Sequence, residues 1–308
     1  MKLIWLVTHG LGDWYLPLSL IPKFIQQHEI SKLDLYVDSI YFAQTNYPLQ
    51  KETGSKMLSS ISPKWAAVPS EYFGSDDWHG IPNRYLGPQY TDIKHDFLFY
   101  RRQQLKDYIR NLLTKETEPF RFICGTGIWS YEWDGNENIP VDFSGRTSLK
   151  FELPRNLGYL HNLVHQNAVL IHLRKKSAYT DDDYFNQIIS YCHSKGKYTI
   201  LIGLKQEVAV DKSAMVIDLR METITPEEIF YLIENMKYMI TSSSVYTWHR
   251  FNFNLPTIVT IPETSGYGYC VKENAFLPED LHNPQYKFYN ASEPHLDALT
   301  QDIDKWEG

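Results

Sequence analysis

The sequence predicts an α/β protein made of two domains, each with a parallel β-sheet between layers of helices. Short apolar, β-branched runs alternate along the chain with amphipathic stretches, which is the pattern of strands and crossover helices in a parallel sheet. The chain has 308 residues, and one domain usually contains roughly 150 residues or fewer. The length therefore accommodates two domains.

The first half of the chain predicts strands separated by helices and long loops. An apolar run at the N-terminus is followed by a glycine turn and an amphipathic stretch, in the order strand, tight loop, helix. Two stretches rich in Pro, Gly, Ser, Asn and Trp predict long surface loops, which are usually functional. The predicted strands are 3–8, 33–37 and 121–124, the predicted helices are 14–27 and 94–115, and the predicted loops are 45–92 and 128–150.

The second half alternates more regularly. Thr225, Pro226 and Glu228 occupy the N-cap, first and third positions of a predicted helix, the signature of a capping box. A polar turn over 241–244 precedes a short helical stretch. The predicted strands are 169–173, 198–202, 215–219, 237–240 and 256–261, and the other predicted helices are 182–195, 226–236 and 293–306.

A boundary between the domains is expected over 153–167, where proline, glycine and asparagine interrupt the alternation of apolar runs and amphipathic stretches. We therefore predict a first domain over 1–155 and a second over 156–290. The segment 291–308 is expected to form a helix that packs back on the first domain.

Composition disfavours several classes of protein. The formal net charge of −7 repels polyanions, so nucleic acid is a disfavoured partner, although not an excluded one. Cys124, Cys192 and Cys270 are far apart and odd in number, which argues against a disulfide framework or structural zinc site and favours the reducing cytoplasm. No apolar stretch approaches the roughly 18 residues of a membrane span. We therefore expect no integral membrane segment, and peripheral attachment stays open.

Residues that follow strands are the candidates for chemistry, because open parallel sheets bind ligands beyond the carboxyl ends of their strands. After the first strand, Gly10 and Gly12 let the backbone approach a ligand closely, and Asp13 begins the next helix. Asp13 either caps that helix or acts as a general base. His9 is a candidate to hydrogen-bond a ligand beside these glycines. Tyr15 stands where a dinucleotide fingerprint needs its third glycine, so that motif is absent.

Two polar clusters in the second half predict a diphosphate site. A guanidinium can bind a diphosphate bidentately and a lysine adds a point charge, whereas hydroxyls and backbone N–H groups at a helix start bind anions. A solvated basic loop and ordinary serine capping are the alternative interpretations. The clusters are His172, Arg174 and Lys175 after the strand 169–173, and Thr241, Ser242, Ser243 and Ser244 before a helix.

Three segments in order carry a resemblance to a known family: HGLGDWYLPLSLIPKF at 9–24, VLIHLRKKSAYTDDDYFNQIISYCHSKGKYTILIG at 169–203, and ITSSSVYTWHRFNFNLPTIVTI at 240–261. They resemble the opening, the nucleotide-domain entry and the donor motif of glycosyltransferase family 9, the ADP-heptose heptosyltransferases. The resemblance implies a GT-B fold, two Rossmann-like domains facing across a cleft. It places the acceptor side in the first domain and the nucleotide sugar in the second.

The same resemblance implies roles for individual residues. Asp13 matches the catalytic base, Gly12 the close-approach glycine and Ser244 the serine of the donor turn. The implied reaction is the inverting, metal-independent transfer of a sugar from a nucleoside-diphosphate donor to a hydroxyl of a glycan, a lipid-linked molecule or another acceptor. No cofactor is implied beyond this nucleotide-sugar co-substrate.

The donor motif departs from the family pattern in three places. Ser243 replaces an Asp, Val245 replaces a Gly, and Trp248 occupies the position of a His, with His249 one residue later. Trp248 and His249 are therefore candidates to contact the acceptor or the sugar, as is His9 beside the glycine turn. The departures also favour a second hypothesis, a catalytically silent GT-B domain that only binds.

A second resemblance competes for the identity of the donor. His172-Leu173-Arg174 is similar to the HxR motif of GDP-fucose fucosyltransferases, and 243–248 is similar to their serine- and tryptophan-containing turn. This resemblance implies the same fold with a GDP-linked donor instead of an ADP-linked one. A dinucleotide-dependent oxidoreductase is the other alternative: Asp38 fits the end of its second strand, but the missing third glycine counts against it.

Overall fold

The computed structural model divides into two compact units, Met1–Thr147 and Ser148–Gly308. This division falls a few residues before the boundary expected over 153–167. Each unit contains one six-stranded sheet, which confirms the α/β architecture. The structure describes residues 1–7, 27, 29–38, 64–68, 111, 113–126, 129–132, 138–139, 153–173, 182–203, 208–220, 224–242, 244–261, 278–290 and 296–306.

The first unit contains a mainly parallel sheet. Its strands are β1 (Lys2–Val7), β2 (Lys32–Asp38), β3 (Lys64–Val68), β4 (Phe120–Thr126), β5 (Trp129–Glu132) and β6 (Asn138–Ile139). Their spatial order is β3-β2-β1-β4-β5-β6. The first four of these are parallel, whereas β5 runs antiparallel to β4, and β6 antiparallel to β5. The central strand β1 is buried, with Leu3, Ile4 and Trp5 at most 1% exposed.

The structure corrects two expectations for this unit. Its strands β1, β2 and β4 confirm the three predicted from apolar runs, but β3, β5 and β6 lie in 45–92 and 128–150, which we expected to be loops. These strands contain five, four and two residues. Strands this short offer too few alternating positions to give a pattern, and pairing with their neighbours holds them instead. The predicted helices 14–27 and 94–115 lie almost wholly outside the described residues.

A buried ionic cluster anchors the amino end of β1. Lys2 Nζ lies 2.8 Å from Asp34 Oδ2 and 2.5 Å from Glu116 Oε2. Burial opposes the charge on Lys2, but hydrogen bonds to both carboxylates outweigh it and raise the pKa of Lys2. The bond to Lys2 in turn lowers the pKa of Glu116. The cluster therefore ties β1 to β2 and to the segment that leads into β4.

The second unit is an alternating α/β structure with a wholly parallel sheet. Its spatial strand order, in labels continued from the first unit, is β12-β11-β10-β7-β8-β9. The elements are α1 (Leu157–Val164), β7 (Ala168–Leu173), α2 (Asp182–Ser194), β8 (Tyr198–Gly203), β9 (Val216–Asp218), α3 (Pro226–Asn235), β10 (Tyr238–Ser242), α4 (Val245–Asn252), β11 (Thr257–Ile261), α5 (Pro278–His282), β12 (Tyr286–Asn290) and α6 (Leu296–Lys305).

All five strands predicted for the second half are present. The sequence pattern missed α1, α5 and β12. Of these, α1 lies in the stretch that we interpreted as the domain boundary. The capping box predicted for α3 is confirmed: Glu228 N–H donates to Thr225 Oγ1 (3.3 Å), and Thr225 N–H donates to Glu228 Oε2 (2.8 Å).

Helices cover both faces of β7, the central strand of this sheet. Val169, Ile171 and Leu173 share a core with apolar side chains of α2 and α6. Because strand side chains alternate, Leu170 and His172 point to the opposite face. The helices α3 and α4 lie on that side, because the ring of Tyr246 in α4 contacts the ring of His172.

The C-terminal helix α6 packs within its own unit. Tyr191 of α2 donates a hydrogen bond to Asp304 (2.6 Å), and Lys195 pairs with the same carboxylate at 3.1 Å. Tyr238 of β10 donates to the carbonyl of Trp306 (2.7 Å). The contact of this segment with the first domain stays a prediction. None of the helices in the described ranges is long and apolar enough to cross a bilayer.

We expect Lys2→Met to lower the free energy of unfolding by about 3 kcal/mol, because it leaves the buried Asp34 carboxylate without its partner. Lys32→Met is the matched control. Lys32 pairs with Glu118 at the surface, with 57% of its side chain exposed, and an exposed pair contributes about 1 kcal/mol or less. Denaturant titrations of both variants measure the difference. Equal losses would contradict the anchoring role of Lys2.

Candidate functional site

The strand order of the second sheet reverses at β7. The chain proceeds from β7 outward to β8 and β9, and then returns to place β10 on the other side of β7. Such a reversal opens a crevice at the carboxyl ends of the two central strands, where open α/β sheets bind their ligands. In the first sheet β1 has the equivalent position, with β2 and β4 on either side, and it ends at Val7.

His172 and Thr241 meet at this reversal, on adjacent strands. His172 Nδ1 lies 3.0 Å from Thr241 Oγ1, and the two residues are only 5% and 1% exposed. The hydroxyl of Thr241 donates to the carbonyl of Ser242 (2.8 Å), so Thr241 Oγ1 accepts its bond from His172 Nδ1–H. In a neutral imidazole this tautomer has its lone pair at Nε2.

The strand β10 continues through Thr241 and Ser242, which the sequence analysis assigned to a polar turn. This assignment is wrong because the backbone of both residues stays paired with β11. Successive strand residues point to opposite faces, so the side chain of Ser242 points away from His172. Its carbonyl accepts bonds from Thr241 and Thr247 and thereby joins the end of β10 to α4.

The helix α4 begins directly after β10, with Ser244 as its N-cap. Ser244 is 6% exposed, and its hydroxyl neither caps the helix nor bonds to any residue in the described ranges. The first turn of a helix presents backbone N–H groups and the positive end of the helix dipole. A buried hydroxyl beside such N–H groups provides donors suited to an anion.

Trp248 lies one helical turn after Ser244 and on the same face of α4. It is also 6% exposed, and its indole nitrogen has no hydrogen-bond acceptor among the residues that the structure describes. Buried tryptophans usually find such an acceptor. The expected contact of Trp248 with an acceptor or a sugar stays a prediction.

Arg250 fixes the other end of α4. Although it is fully buried, its guanidinium donates to the carbonyls of Ile233 (2.5 Å), Lys237 (2.9 Å) and Pro256 (3.2 Å), and to Thr257 Oγ1 (3.3 Å). Burial lowers the pKa of Arg250 to about 9, which leaves it charged at neutral pH. The guanidinium thus holds the last turn of α3, the start of β10 and the start of β11 against α4.

His249 has a packing role in the structure. It is fully buried, and its Nε2 lies 2.8 Å from Glu234 Oε1 of α3. Burial lowers the pKa of His249, although the bond to Glu234 acts in the opposite direction. The ring therefore donates as a neutral imidazole. The expected contact of His249 with a ligand stays a prediction.

A series of aromatic contacts links His249 to His172, at the point where the strand order reverses. Phe230 contacts the ring of His249 (4.7 Å between centroids) and that of Tyr246 (5.8 Å), and Tyr246 contacts His172 (4.8 Å). All three contacts are edge-to-face, the favourable geometry for such rings. The contact between α3 and α4 therefore reaches the ring of His172 through aromatic packing.

Gly203 keeps β8 close to the carboxyl end of β7. Its φ of +126° lies in a region that side chains rarely adopt, and a Cβ there would stand 2.3 Å from the carbonyl oxygen of Leu173. The same Cβ would be 3.4 Å from the ring of His172. Only glycine fits without moving the backbone beside His172.

The predicted site residues fall into two groups. Of the described ones, His172, Thr241, Ser242 and Ser244 lie at the carboxyl edge of β7 and β10, whereas Trp248 and His249 lie within α4. The others lie outside the described residues, and their roles stay predictions: His9, Gly10, Gly12 and Asp13 in the first unit, and Arg174, Lys175 and Ser243 in the second.

Sequence reasoning missed three residues that support the site: Gly203, Glu234 and Tyr246. A glycine at the end of a strand was a signal for the first of these. The other two contact partners that are distant in sequence, so no local pattern could have identified them. Within the described ranges, no group of three or more His, Cys, Asp or Glu side chains could hold a metal ion.

Two parallel-sheet units, each with its order reversed beside the central strand, define the fold as that of the GT-B glycosyltransferases. The chain is similar to the ADP-heptose lipopolysaccharide heptosyltransferase II of E. coli, with a TM-score of 0.52, 11% identity, and coverage of 99% of this chain and 98% of that one. It is similar to a family 9 glycosyltransferase from Veillonella parvula, with a TM-score of 0.50, 9% identity, and coverage of 99% and 96%.

A third similar structure is the calicheamicin glycosyltransferase CalG4, with a TM-score of 0.51, 7% identity, and coverage of 99% of this chain and 90% of that one. No family model matches the sequence, and no curated protein matches it either. At these identities the similarities establish the fold. At the level of the fold, they confirm the resemblance to family 9 that the three sequence segments indicated.

We expect Gly203→Ala to lower the free energy of unfolding by at least about 2 kcal/mol, through backbone strain and the clash with Leu173. Gly158→Ala is the matched control. Gly158 lies in α1 with open space around the added methyl group, so alanine is expected to stabilise that helix by about 0.5–1 kcal/mol. Thermal denaturation compares the two. A harmless Gly203→Ala would refute the close approach of β8 to β7.

Proposed function

We propose that this protein is a glycosyltransferase that takes its donor as a nucleoside-diphosphate sugar. The observation that carries the proposal is the hydrogen-bonded pair His172 and Thr241. The pair lies where the strand order of the second sheet reverses, in a chain with the GT-B fold. The heptosyltransferase of E. coli with a similar fold is named for an ADP-heptose donor. The second unit of this chain accordingly binds the nucleotide sugar, and the first unit binds the acceptor.

The start of α4 supports diphosphate binding in the second unit. Ser244 Oγ is a buried hydroxyl without a partner in the described part of the chain, next to the N–H groups of the first helical turn. Phosphate oxygens accept bonds from such donors and are attracted by the helix dipole. Arg174 and Lys175 follow β7 directly in sequence, and we propose that their positive charges contribute to diphosphate binding.

His172 contributes from the neighbouring strand. Buried contacts that include the bond from its Nδ1–H to Thr241 and the ring of Tyr246 hold its orientation. An imidazole can accept a bond from a sugar hydroxyl when it is neutral, and it can donate to a phosphate when it is protonated. The substrate hydroxyl and the phosphate are thus alternative partners of one pre-oriented ring.

The chemistry that we propose is a single displacement with inversion and without a metal ion. Asp13 accepts the proton of the acceptor hydroxyl as that oxygen bonds to the anomeric carbon. The bond from the anomeric carbon to the diphosphate oxygen breaks, and its electron pair leaves with the nucleoside diphosphate. Arg174, Lys175 and the helix start stabilise the charge that develops on this leaving group.

The donor is proposed to be ADP-linked, as in the family 9 resemblance, with a GDP-linked donor as the alternative from His172-Leu173-Arg174. The acceptor is a hydroxyl of a glycan, a lipid-linked molecule or another compound, and we propose the cytoplasm as the location. The departures at Ser243, Val245 and Trp248 keep a catalytically silent domain as the second candidate, which would bind a nucleotide sugar without transferring it.

We expect one nucleoside diphosphate to bind the wild-type chain and to raise its melting temperature without magnesium, since a ligand of the folded state stabilises it. Thr241→Val should weaken that binding about ten-fold, because it removes the oxygen that orients His172. Thr199→Val is the matched control, since Thr199 is an equally buried threonine near the amino end of β8. Calorimetry with ADP, GDP, UDP, CDP, dTDP and NAD measures the affinities.

Each outcome of that panel has a meaning. ADP binding favours the heptosyltransferase-like function, and GDP binding the fucosyltransferase-like one. Binding of NAD alone would replace the proposal with an oxidoreductase. Equal affinities for Thr241→Val and Thr199→Val would remove the His172–Thr241 pair from the donor site.

We expect Asp13→Asn to lower turnover on the order of 10²–10⁴-fold, because the amide cannot accept the proton of the acceptor hydroxyl. Donor affinity should change little, since Asp13 belongs to the other unit. Slow hydrolysis of the nucleotide sugar without acceptor provides an assay for both proteins. A folded Asp13→Asn variant with nearly full turnover would exclude Asp13 as the base, and a wild-type chain that binds but never hydrolyses the donor would favour the silent domain.

A further inference from the structure

Two histidines lie together at the C-terminal end of α1, outside the candidate donor site. The Nε2 atoms of His161 and His165 are 3.0 Å apart, and their rings meet edge-to-face with centroids 4.2 Å apart. Both residues are exposed. His161 belongs to the last turn of α1, and His165 is its C-cap.

The helix itself explains why these rings meet in solvent. Residues four apart lie on the same face of a helix, one turn from each other. Leu160 and Leu163 are the buried residues of α1, and their side of the helix is opposite to that of the two histidines. Packing of the apolar side thus presents both imidazoles outward.

The spacing of the two nitrogens matches that of neighbouring ligands on a metal ion. A histidine nitrogen binds a zinc-sized ion at about 2.0–2.1 Å. Two such ligands at a right angle are therefore about 2.9 Å apart, close to the 3.0 Å that separates the Nε2 atoms. A small rotation of either exposed ring opens the angle to the tetrahedral one.

We propose that His161 and His165 form a binding site for one divalent late transition-metal ion of the Cu²⁺, Ni²⁺ and Zn²⁺ class. Imidazole suits these ions, and copper binds most tightly among them. No third His, Cys, Asp or Glu completes the pair within the described ranges. The chain therefore supplies two ligands, water supplies the others, and the ion exchanges readily.

Binding of the ion changes the state of the pair in a defined way. In the metal-free pair one ring donates its Nε2–H to the lone pair of the other. Both rings must present Nε2 lone pairs to the metal, so the donating ring moves its proton to Nδ1. The ion thereby replaces one hydrogen bond with two coordinate bonds, from Nε2 of His161 and from Nε2 of His165. These bonds cross-link the last turn of α1.

This site is separate from the proposed donor site. The pair precedes β7, at the amino edge of the sheet, whereas His172 and Thr241 lie at the carboxyl edge. The six residues of β7 separate the two edges by roughly 20 Å at about 3.3 Å per residue. Metal binding is therefore independent of glycosyl transfer, and its test requires no substrate.

The test is a titration of the tag-free chain with CuCl₂, followed by calorimetry and by the melting temperature. We expect one ion per chain and a rise in melting temperature with copper concentration, because the ion binds the folded helix. NiCl₂ should bind at the same stoichiometry and more weakly. His161→Gln and His165→Gln should each weaken copper binding on the order of 10²-fold, since a second ligand on the same helix acts at high effective concentration.

His282→Gln is the matched control, because His282 is another exposed histidine at a helix end, in α5. It should keep the wild-type affinity and stoichiometry. Both histidine positions are at the surface, so the variants are expected to fold, and circular dichroism verifies it. If the double variant His161→Gln, His165→Gln bound copper as tightly as the wild type, or if His282→Gln weakened binding equally, the proposed site would be refuted.

Discussion

Burial of β7 on both faces and both edges is the constraint on which the second unit depends. This strand pairs with β8 on one side and β10 on the other, and all six of its residues are buried. A strand in this position requires helices on both faces and an internal partner for each polar group. His172 meets the second requirement through Thr241, so the constraint that builds the sheet also orients the side chain nearest the crevice.

Buried polar contacts hold the elements around this crevice in one arrangement. Arg250 bonds to carbonyls from α3 and from the residues just before β10 and β11, and His249 bonds to Glu234 of α3. A buried charge is costly unless all of its bonds are made, so such groups specify a geometry more than they add stability. The geometry specified here is the direction of α4, whose first turn lies beside the carboxyl ends of β7 and β10. A binding site needs this kind of support behind the residues that touch the ligand.

The two edges of the second sheet differ in chemistry. The carboxyl edge combines a helix start, buried hydroxyls and an oriented imidazole, which suits an anionic nucleotide. The amino edge carries the exposed pair His161 and His165, which suits a cation of the late transition series. This polarity follows from parallel strands, since every crossover helix begins near the carboxyl edge and ends near the amino edge. The groups suited to an anion and the histidine pair suited to a cation are thus separated by the length of one strand.

The sequence by itself determined the alternating order of strands and helices, the capping box at Thr225 and Glu228, and the positions where candidate site residues follow strands. These features are local: a run of apolar residues, a cap or a glycine after a strand depends on neighbours in the chain. The tertiary structure alone decided the short strands β3, β5 and β6, the extension of β10 through Ser242, and the pairing of His249 with Glu234. Each of these depends on a partner that is distant in sequence, and local periodicity carries no information about it.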